Sequence, residues 1–471
     1  MSRKFLSIAW SIVWSIIALC ASCLSVPAWA QLRLPGLPGG GRLPGDELLR
    51  RAEAPLNSAS PLLVPLDPQR WRERLSDRLL KRYPDQLQRN TAGELVFTGE
   101  LLALPSSGAA RQRVLARSAL TLVEETRLDG LDLVWLRLRL PAGTGPSSLD
   151  ALIAQLRTDD PDGTYDYHHV YVDAGAVAVA SGTGPGSSAA APSAREPSAS
   201  TQAPAPTPTP MRTPTAERRI GMIDSGIDAA HPALRQTALT REGCAGQARP
   251  AAHGTAVASL LVGDSDAGFH GAMPRGRLFA VDVYCEGGPR AGGGVQAIAE
   301  GFAWLARQRV GVVNISLVGP PNALLRRVVE AAQAQGQLIV APVGNDGPNA
   351  PPLYPAAWPG VIAVTGVDAR RRVLVEAGRG PHVVFAAPGG DMVAAQAGAR
   401  SYAAVRGTSF AAPLVAGLLG TLLPSADRGA ASKVVDMLAH EAVDLGAPGR
   451  DEVYGMGLVG ASLRVGADDV R

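Results

Sequence analysis

The feature that most restricts the fold of this chain is an alternation that begins at Arg218. Apolar segments of strand length alternate with helical segments rich in small residues. The strand segments are RIGMID, RLFAVDVY, VGVVNISL, QLIVAPVG, VIAVTGV and HVVFAAP. Strands that are apolar on both faces and joined by helical crossovers form parallel sheets covered on both sides. We therefore predict an α/β fold, a parallel sheet flanked by helices on both faces, for residues 218–471.

Three polar residues stand at the ends of these apolar elements. Asp224 ends RIGMID, His253 opens HGTAVASLLVG, and Ser409 opens SFAAPLVAGLLGTLL. Taken singly, they could be a turn residue, a core histidine and a helix cap. Sheets of this kind, however, collect functional residues at the carboxyl ends of their strands. A serine becomes a nucleophile when a nearby base takes its proton and a carboxylate orients that base, so the three residue types together predict a catalytic triad.

The segments around these residues resemble the three signature motifs of the subtilisin-like serine proteases. They read IGMIDSGID, HGTAVAS and GTSFAAP, and the order Asp, His, Ser is that of subtilisin. An α/β-hydrolase would carry G-x-S-x-G, but Ala411 stands at the last position of that pattern. The resemblance covers about Arg218 to Val465. It implies a serine endopeptidase that hydrolyses protein or peptide substrates through an acyl-enzyme.

The resemblance also implies where substrate binds. VGND is similar to the oxyanion-hole motif of the family, which assigns the oxyanion donors to the Asn345 side chain and the Ser409 backbone N–H. The segment NISLVGP resembles the substrate-binding strand, whose residues here are Ser316, Leu317, Val318 and Gly319. The family usually has glycine where Val318 stands, so the resemblance does not fix the shape of the main specificity pocket. We expect no cofactor; calcium is possible by resemblance, although no calcium-binding segment is recognised.

The N-terminus has the pattern of an export signal. Arg3 and Lys4 precede an uncharged apolar run that ends in Ala28-Trp29-Ala30, a small-x-small cleavage pattern. We predict that residues 1–30 are a signal peptide and that the protein is periplasmic or extracellular. The alternative is an uncleaved membrane anchor, because the apolar run approaches spanning length.

Export bears on the two cysteines that remain after signal removal. We predict that Cys244 and Cys285 form a disulfide in an oxidising compartment, and the alternative is two separate buried thiols. The formal net charge of +3 over 471 residues comes without a basic, aromatic-laced stripe, so we expect no nucleic-acid partner.

The residues before Arg218 divide into three further segments. Residues 31–60 are rich in proline and glycine, residues 61–174 show the strand and helix patterns of a small α+β domain, and residues 175–217 form a linker. The linker is rich in Ser, Thr, Pro and Ala and cannot bury enough apolar surface to fold, so we expect it to be disordered. His168 and His169 lie in the last strand pattern and are interpreted as strand residues rather than metal ligands.

The α+β segment ends in GTYDYHHVYVDAG, which is similar to the final strand of subtilisin propeptides. The similarity implies a zymogen in which the N-terminal domain acts as an intramolecular inhibitor or chaperone. We expect self-cleavage between Gly175 and Arg219. Two alternatives stay open: a dedicated processing protease with one partner protein, and a non-catalytic binding protein that keeps the fold.

Overall fold

The computed structural model describes residues 69–177, 218–288 and 291–470. The predicted signal peptide, the Pro/Gly-rich segment and nearly all of the predicted linker lie outside these residues, and the domain boundaries stay predictions. We call residues 69–177 the N-terminal module and residues 218–470 the C-terminal module. No helix within the described ranges is long and apolar enough to cross a membrane.

The N-terminal module is an antiparallel sheet with helices. Its helices are α1 (Gln69–Arg82), α2 (Gly108–Leu115) and α3 (Pro146–Asp159). Its sheet strands are β1 (Leu87–Arg89), β2 (Leu95–Leu104), β3 (Thr121–Leu128), β4 (Leu133–Arg139) and β5 (Thr164–His169). Two short strands follow, β6 (Val172–Asp173) and β7 (Ala176–Val177). The long strand β2 pairs antiparallel with β1, β4 and β5, which gives the α+β organisation that the sequence pattern predicts.

The C-terminal module contains a seven-stranded sheet in which every pair is parallel. Its strands are β8 (Arg219–Asp224), β9 (Leu239–Gly243), β10 (Arg277–Asp282), β11 (Val312–Ile315), β13 (Leu338–Pro342), β14 (Ile362–Val367) and β15 (Val383–Pro388). The short strand β12 (Leu317–Val318) follows β11, and β16 (Met392–Ala395) and β17 (Tyr402–Arg406) form a separate ribbon. The predicted fold class is confirmed.

Five helices complete the C-terminal module. They are α4 (Ala252–Val262), α5 (Val295–Arg307), α6 (Ala323–Ala334), α7 (Thr408–Leu422) and α8 (Arg428–His440). Helices α4 and α7 share one apolar core with the sheet, and α5 and α6 share the other. Helix α7 is apolar all round because it is buried, with Phe410 and Leu414 completely enclosed.

The order of the strands in the sheet indicates where a functional site should lie. The order is β15-β14-β13-β11-β8-β10-β9, so β8 lies between β10 and β11. The chain runs outward in both directions from β8, which makes the carboxyl end of β8 a topological switch point. Crevices at such points are where open α/β sheets bind ligands. Asp224 is the last residue of β8.

One face of the N-terminal sheet lies against α5 and α6. Leu102 of β2 and Trp135 of β4 are almost fully buried and share an apolar core with Phe302 of α5 and Leu325 of α6. The opposite face of the sheet packs on the module's own helices α2 and α3. The two modules therefore share an apolar core, because α5 and α6 of the C-terminal module cover this face of the N-terminal sheet.

Two buried histidines of β5 reach the N-termini of those helices. His168 Nδ1 lies 2.9 Å from Glu100 Oε2, and its Nε2 accepts a hydrogen bond from the backbone N–H of Gln296. His169 bonds Glu94 through Nε2 and Asn322 through Nδ1. The sequence shows no acidic partner near the two histidines because Glu100 and Glu94 come from elsewhere in the module. Both histidines are strand residues, and they also contribute hydrogen bonds to the contact between the modules.

Candidate active site

Asp224 and His253 meet at the switch point of the sheet. Strand β8 is buried from Ile220 to its end, so Asp224 is completely enclosed. His253 is the second residue of α4, and its Nδ1–H donates to Asp224 Oδ1 at 2.8 Å. This bond holds the imidazole in the tautomer with its proton on Nδ1. The buried Nε2 has no hydrogen-bond partner among the described residues and is free to accept one.

Ser409 is the second residue of α7 and is completely buried. Gly407 precedes the helix with φ 138°, a conformation that side chains rarely adopt, and a Cβ there would come within 3.0 Å of Gly175 Cα. The Ser409 hydroxyl donates to the Ser316 carbonyl at 3.3 Å. The His253 ring lies 5.4 Å from the ring of Phe410, the neighbour of Ser409. The three residues that the sequence analysis selects are therefore brought to one place.

A carbonyl oxygen of the chain occupies the position that the resemblance assigns to the oxyanion. The Ala174 oxygen accepts hydrogen bonds from the backbone N–H of Ser409, at 3.2 Å, and from the side-chain amide of Asn345. The other end of that amide is fixed, because Asn345 Oδ1 accepts from the backbone N–H of Thr408 at 3.1 Å. The Ser409 N–H belongs to the first turn of α7, where amides lack partners within the helix and the dipole favours negative charge.

The residues before Ala174 lie in the site as an extended strand. Strand β6 pairs antiparallel with β12, with Asp173 opposite Leu317 and Val172 opposite Val318. On its other side the Tyr171 N–H donates to the Gly293 carbonyl at 2.8 Å. Beyond Ala174, strand β7 pairs antiparallel with β17. All four residues of the predicted substrate-binding strand, Ser316, Leu317, Val318 and Gly319, therefore lie at or beside a bound segment of polypeptide.

Tyr171 fills a closed site at the far end of this segment. Its side chain is completely buried, and its hydroxyl donates to the Pro320 carbonyl at 2.7 Å. A Cβ at Gly319 would come within 2.7 Å of the Tyr171 ring, so only glycine leaves room for the ring at this position. The glycine that the resemblance leads one to expect at residue 318 stands one residue later, and here it accommodates an aromatic side chain.

Acidic groups surround His253. Asp173 Oδ1 lies 3.8 Å from Nδ1 of His253, on the same ring nitrogen that bonds Asp224. Burial lowers the pKa of His253, but the carboxylates of Asp224 and Asp173 outweigh it and raise that pKa above its ordinary value. Burial raises the pKa of Asp173, although the nearby His253 opposes the shift. The two carboxylates therefore stabilise the positive charge that the imidazole acquires when it takes a proton.

Cys244 and Cys285 form a disulfide with their Cα atoms 5.3 Å apart. It joins the turn after β9 to the loop after β10, and β9 and β10 are neighbours in the sheet. The same loop carries Tyr284, whose hydroxyl donates to the Tyr171 carbonyl at 3.1 Å. The disulfide thus anchors a loop that contacts the bound segment.

Two groupings of metal-ligand side chains occur within the described ranges, and neither suits calcium. One comprises Cys244, Asp282 and Cys285, in which both sulfurs belong to the disulfide. The other comprises Asp173, Asp224 and His253 of the site itself. Calcium prefers six to eight oxygen ligands, and these sets offer two carboxylates at most.

Comparison with known proteins decides the family. A family model described as the subtilase family matches residues 216–457, about half of the chain. The chain belongs to the subtilase family. It is therefore a serine protease of the subtilisin type, as the three motifs predict.

Named relatives agree with this assignment. Subtilisin DY of Bacillus licheniformis is 32% identical over 251 residues, which cover 52% of this chain and 89% of the relative. The minor extracellular protease Epr of Bacillus subtilis is 31% identical over 209 residues, but these cover only 32% of its length. Fervidolysin of Fervidobacterium pennivorans, a keratinolytic enzyme related to subtilisin, matches in structure with a TM-score of 0.59 and 18% identity. That match covers 80% of this chain and 63% of fervidolysin, and it supports the fold alone.

Several residues of this subtilase's site escaped the sequence analysis. Ala174, Tyr171 and Tyr284 contact the site from segments that carry no motif, and Leu353 lies in the loop between β13 and β14. One signal was present for the first two, since GTYDYHHVYVDAG was compared with a propeptide strand. No local pattern marks Tyr284 or Leu353, because each enters the site only through the tertiary fold.

Proposed function

We propose that this subtilase is an exported serine endopeptidase, made as a precursor that cuts itself between Ala174 and Gly175. The observation that carries the proposal is the position of the Ala174 carbonyl, which accepts from both Ser409 N–H and Asn345. Such a pair of donors is what a tetrahedral intermediate of acyl transfer requires. A Cβ at Gly175 would lie 3.1 Å from Ser409 Cβ, so the bond after Ala174 is beside the nucleophile.

The proposed reaction assigns one role to each residue of the triad. The Ser409 hydroxyl turns from the Ser316 carbonyl toward His253 Nε2, which takes its proton while the oxygen attacks the Ala174 carbonyl carbon. Asp224 keeps the imidazole oriented and stabilises its positive charge. The C–N bond to Gly175 then breaks, and the Gly175 nitrogen leaves with the proton from His253. Water, activated by the same imidazole, hydrolyses the ester between Ser409 and Ala174.

Other substrates would bind as the residues before Ala174 do. An extended peptide pairs with β12 on one side and with the Gly293 segment on the other, so backbone hydrogen bonds supply affinity for many sequences. This mode suits an endopeptidase, because the pairing continues past the bond through β17. Protein or peptide chains in extended conformation are therefore the proposed substrates.

After the cut, the N-terminal module is proposed to stay bound as an inhibitor. Its β6 still covers β12, and its sheet completes a core with α5 and α6. The same contacts would assist folding, because a parallel sheet depends on non-local contacts that form slowly.

Export is supported by the N-terminal sequence pattern and by the disulfide. Disulfides persist in oxidising compartments and are rare in the cytosol of ordinary bacteria and eukaryotes. The Cys244–Cys285 bond therefore fits a periplasmic or extracellular protein. The signal peptide predicted for residues 1–30 would direct the protein to that compartment.

Intact mass measurement tests the proposed function. Full-length protein, produced in a protease-deficient host with an export pathway, should yield two fragments that begin at Gln31 and at Gly175. The cut lies immediately before the interval that we expected from the sequence. After the N-terminal module is separated, a fluorophosphonate probe should label the larger fragment at Ser409, since only an activated serine reacts. A secreted protein that keeps the Ala174–Gly175 bond and resists the probe would contradict the proposal.

Release of the N-terminal module should depend on pH through His168. Its Nε2 accepts from Gln296 N–H at the start of α5, so a proton on Nε2 would oppose that donor and the positive end of the helix. Burial lowers the pKa of His168, while the neighbouring Glu100 opposes the shift and Arg137 adds to it. Because the pKa is depressed when docked, binding is favoured above about pH 6.5 and weakens as pH falls below it.

Size-exclusion chromatography of the processed protein between about pH 8 and about pH 5 measures this release. His168→Gln should flatten the pH dependence, because an amide does not titrate. His270→Gln is the matched control, since His270 is exposed and bonds Asp264 away from the interface. Identical release curves for wild type and His168→Gln would assign the effect to another group.

A further inference from the structure

The side chain of Ala174 marks the pocket for the residue on the acyl side of the cut bond. Ala174 is 3% exposed, although its side chain is a single methyl group. It belongs to a small buried apolar cluster with Val172, Val318 and Leu353. The pocket that receives this residue is therefore closed around a methyl group.

Leu353 closes this pocket from the loop between β13 and β14. The next residue, Tyr354, pairs with Gly319 through two backbone hydrogen bonds of 3.0 and 3.1 Å, which fixes the loop against the end of β12. The Leu353 side chain lies over Gly344, where a Cβ would come within 2.5 Å of Leu353 Cδ1. Gly344 directly precedes Asn345. Leu353 thus spans from the substrate-binding strand to the segment that carries the oxyanion donor.

We propose that Leu353 limits this pocket to small side chains, so that the enzyme cleaves after alanine and residues of similar size. The inference rests on the proposed function, which identifies the bond after Ala174. Val318 contributes from β12, where its branched side chain belongs to the same buried cluster as Ala174 and Leu353. A phenylalanine in place of Ala174 would need the volume that Leu353 fills. Cores that must take such extra volume shift side chains and backbone at a cost.

A second role for Leu353 must be separated from this one. The same cluster contacts Leu75 and Leu79 of α1, so Leu353 also helps to seat the N-terminal module. If the N-terminal module bound less tightly, the cut would slow whichever residue stands at position 174. A specificity role instead predicts that shortening Leu353 speeds the cut after large residues and slows the cut after small ones only slightly.

Self-processing of the full-length chain, followed by intact mass over time, tests the proposal. Ala174→Phe should slow the cut by about 10–100-fold, a range typical of discrimination by pocket size, whereas Ala174→Ser should slow it far less. Leu353→Ala added to Ala174→Phe should restore most of the lost rate. Leu374→Ala added to Ala174→Phe is the matched control, because Leu374 is an equally buried leucine outside this cluster and should restore nothing.

The outcomes separate the two proposals. If the wild-type chain is not cut after Ala174, the proposed function fails and this inference falls with it. If wild type and Ala174→Phe are cut at the same rate, the pocket proposal alone is overturned. It is also overturned if adding Leu353→Ala to Ala174→Phe does not speed the cut. The same holds if Leu353→Ala alone slows the cut after alanine as strongly as Ala174→Phe does.

Discussion

Ser409→Ala should accumulate as an uncut chain and should hydrolyse peptides about 10⁶-fold more slowly than the wild type, the size seen when the nucleophile of subtilisin is removed. The variant loses the hydroxyl that is proposed to attack the Ala174 carbonyl. It keeps the donors that bind that carbonyl, because Asn345 and the backbone N–H of residue 409 are unchanged. Substrate binding should therefore survive the loss of chemistry.

The fold should also survive this substitution. Ser409 Oγ makes one hydrogen bond, to the Ser316 carbonyl, and a methyl group fits the same space. Intact mass gives the processing state, and thermal unfolding checks the fold. Ser259→Ala is a matched control, because Ser259 is an equally buried helical serine whose hydroxyl bonds Ala256 and Ala395. That control should lose stability and keep processing, whereas a Ser409→Ala chain cut after Ala174 would exclude Ser409 as the nucleophile.

The sequence predicts the sheet and the three ends that meet on it for a physical reason. Parallel strands buried on both faces must be apolar throughout, so the polar residues that interrupt them stand out. Asp224 is such a residue at the end of β8, while His253 and Ser409 stand at the starts of buried apolar helices, and the carboxyl edge of the sheet brings the three together. Periodicity and position were enough here because each residue sits at the end of a regular element.

The bound segment could not be located in the same way. Residues 170–175 read as an ordinary strand end, and their place in the site depends on docking of the N-terminal sheet against α5 and α6. His168 and Glu100 are 68 residues apart, yet they meet in this interface. Docking sums many apolar contacts between distant segments, and no single local pattern encodes it.

Leu353 shows why the specificity pocket could not be predicted from the sequence. It stands in the loop sequence NAPPLYP, where a leucine carries no sign of whether its side chain faces a pocket, solvent or core. The pairing of Tyr354 with Gly319 and the contact with Gly344 determine its direction. The departure at Val318 was visible in the sequence, but its consequence depends on this second side chain.

Asn345→Ala should lower kcat by about 10²–10³ with little change in KM, the size found in subtilisin when one oxyanion donor is lost. The neutral carbonyl of a bound substrate is a weak acceptor, whereas the tetrahedral oxyanion carries a full charge. The Asn345 amide therefore stabilises the transition state more than the ground state, and its loss falls on kcat.

Peptide hydrolysis by the processed enzyme, at substrate concentrations on both sides of KM, separates the two constants. Asn322→Ala is a useful control, because that asparagine caps α6 and bonds the N-terminal module through Tyr167 and His169. It should loosen the module and leave kcat of the free enzyme unchanged. Asn345→Asp provides a stricter comparison, since it keeps the acceptor for Thr408 N–H and replaces the donor with a charge that repels the oxyanion. Its kcat should fall below that of Asn345→Ala, and an effect confined to KM in either variant would mean that Asn345 only binds substrate.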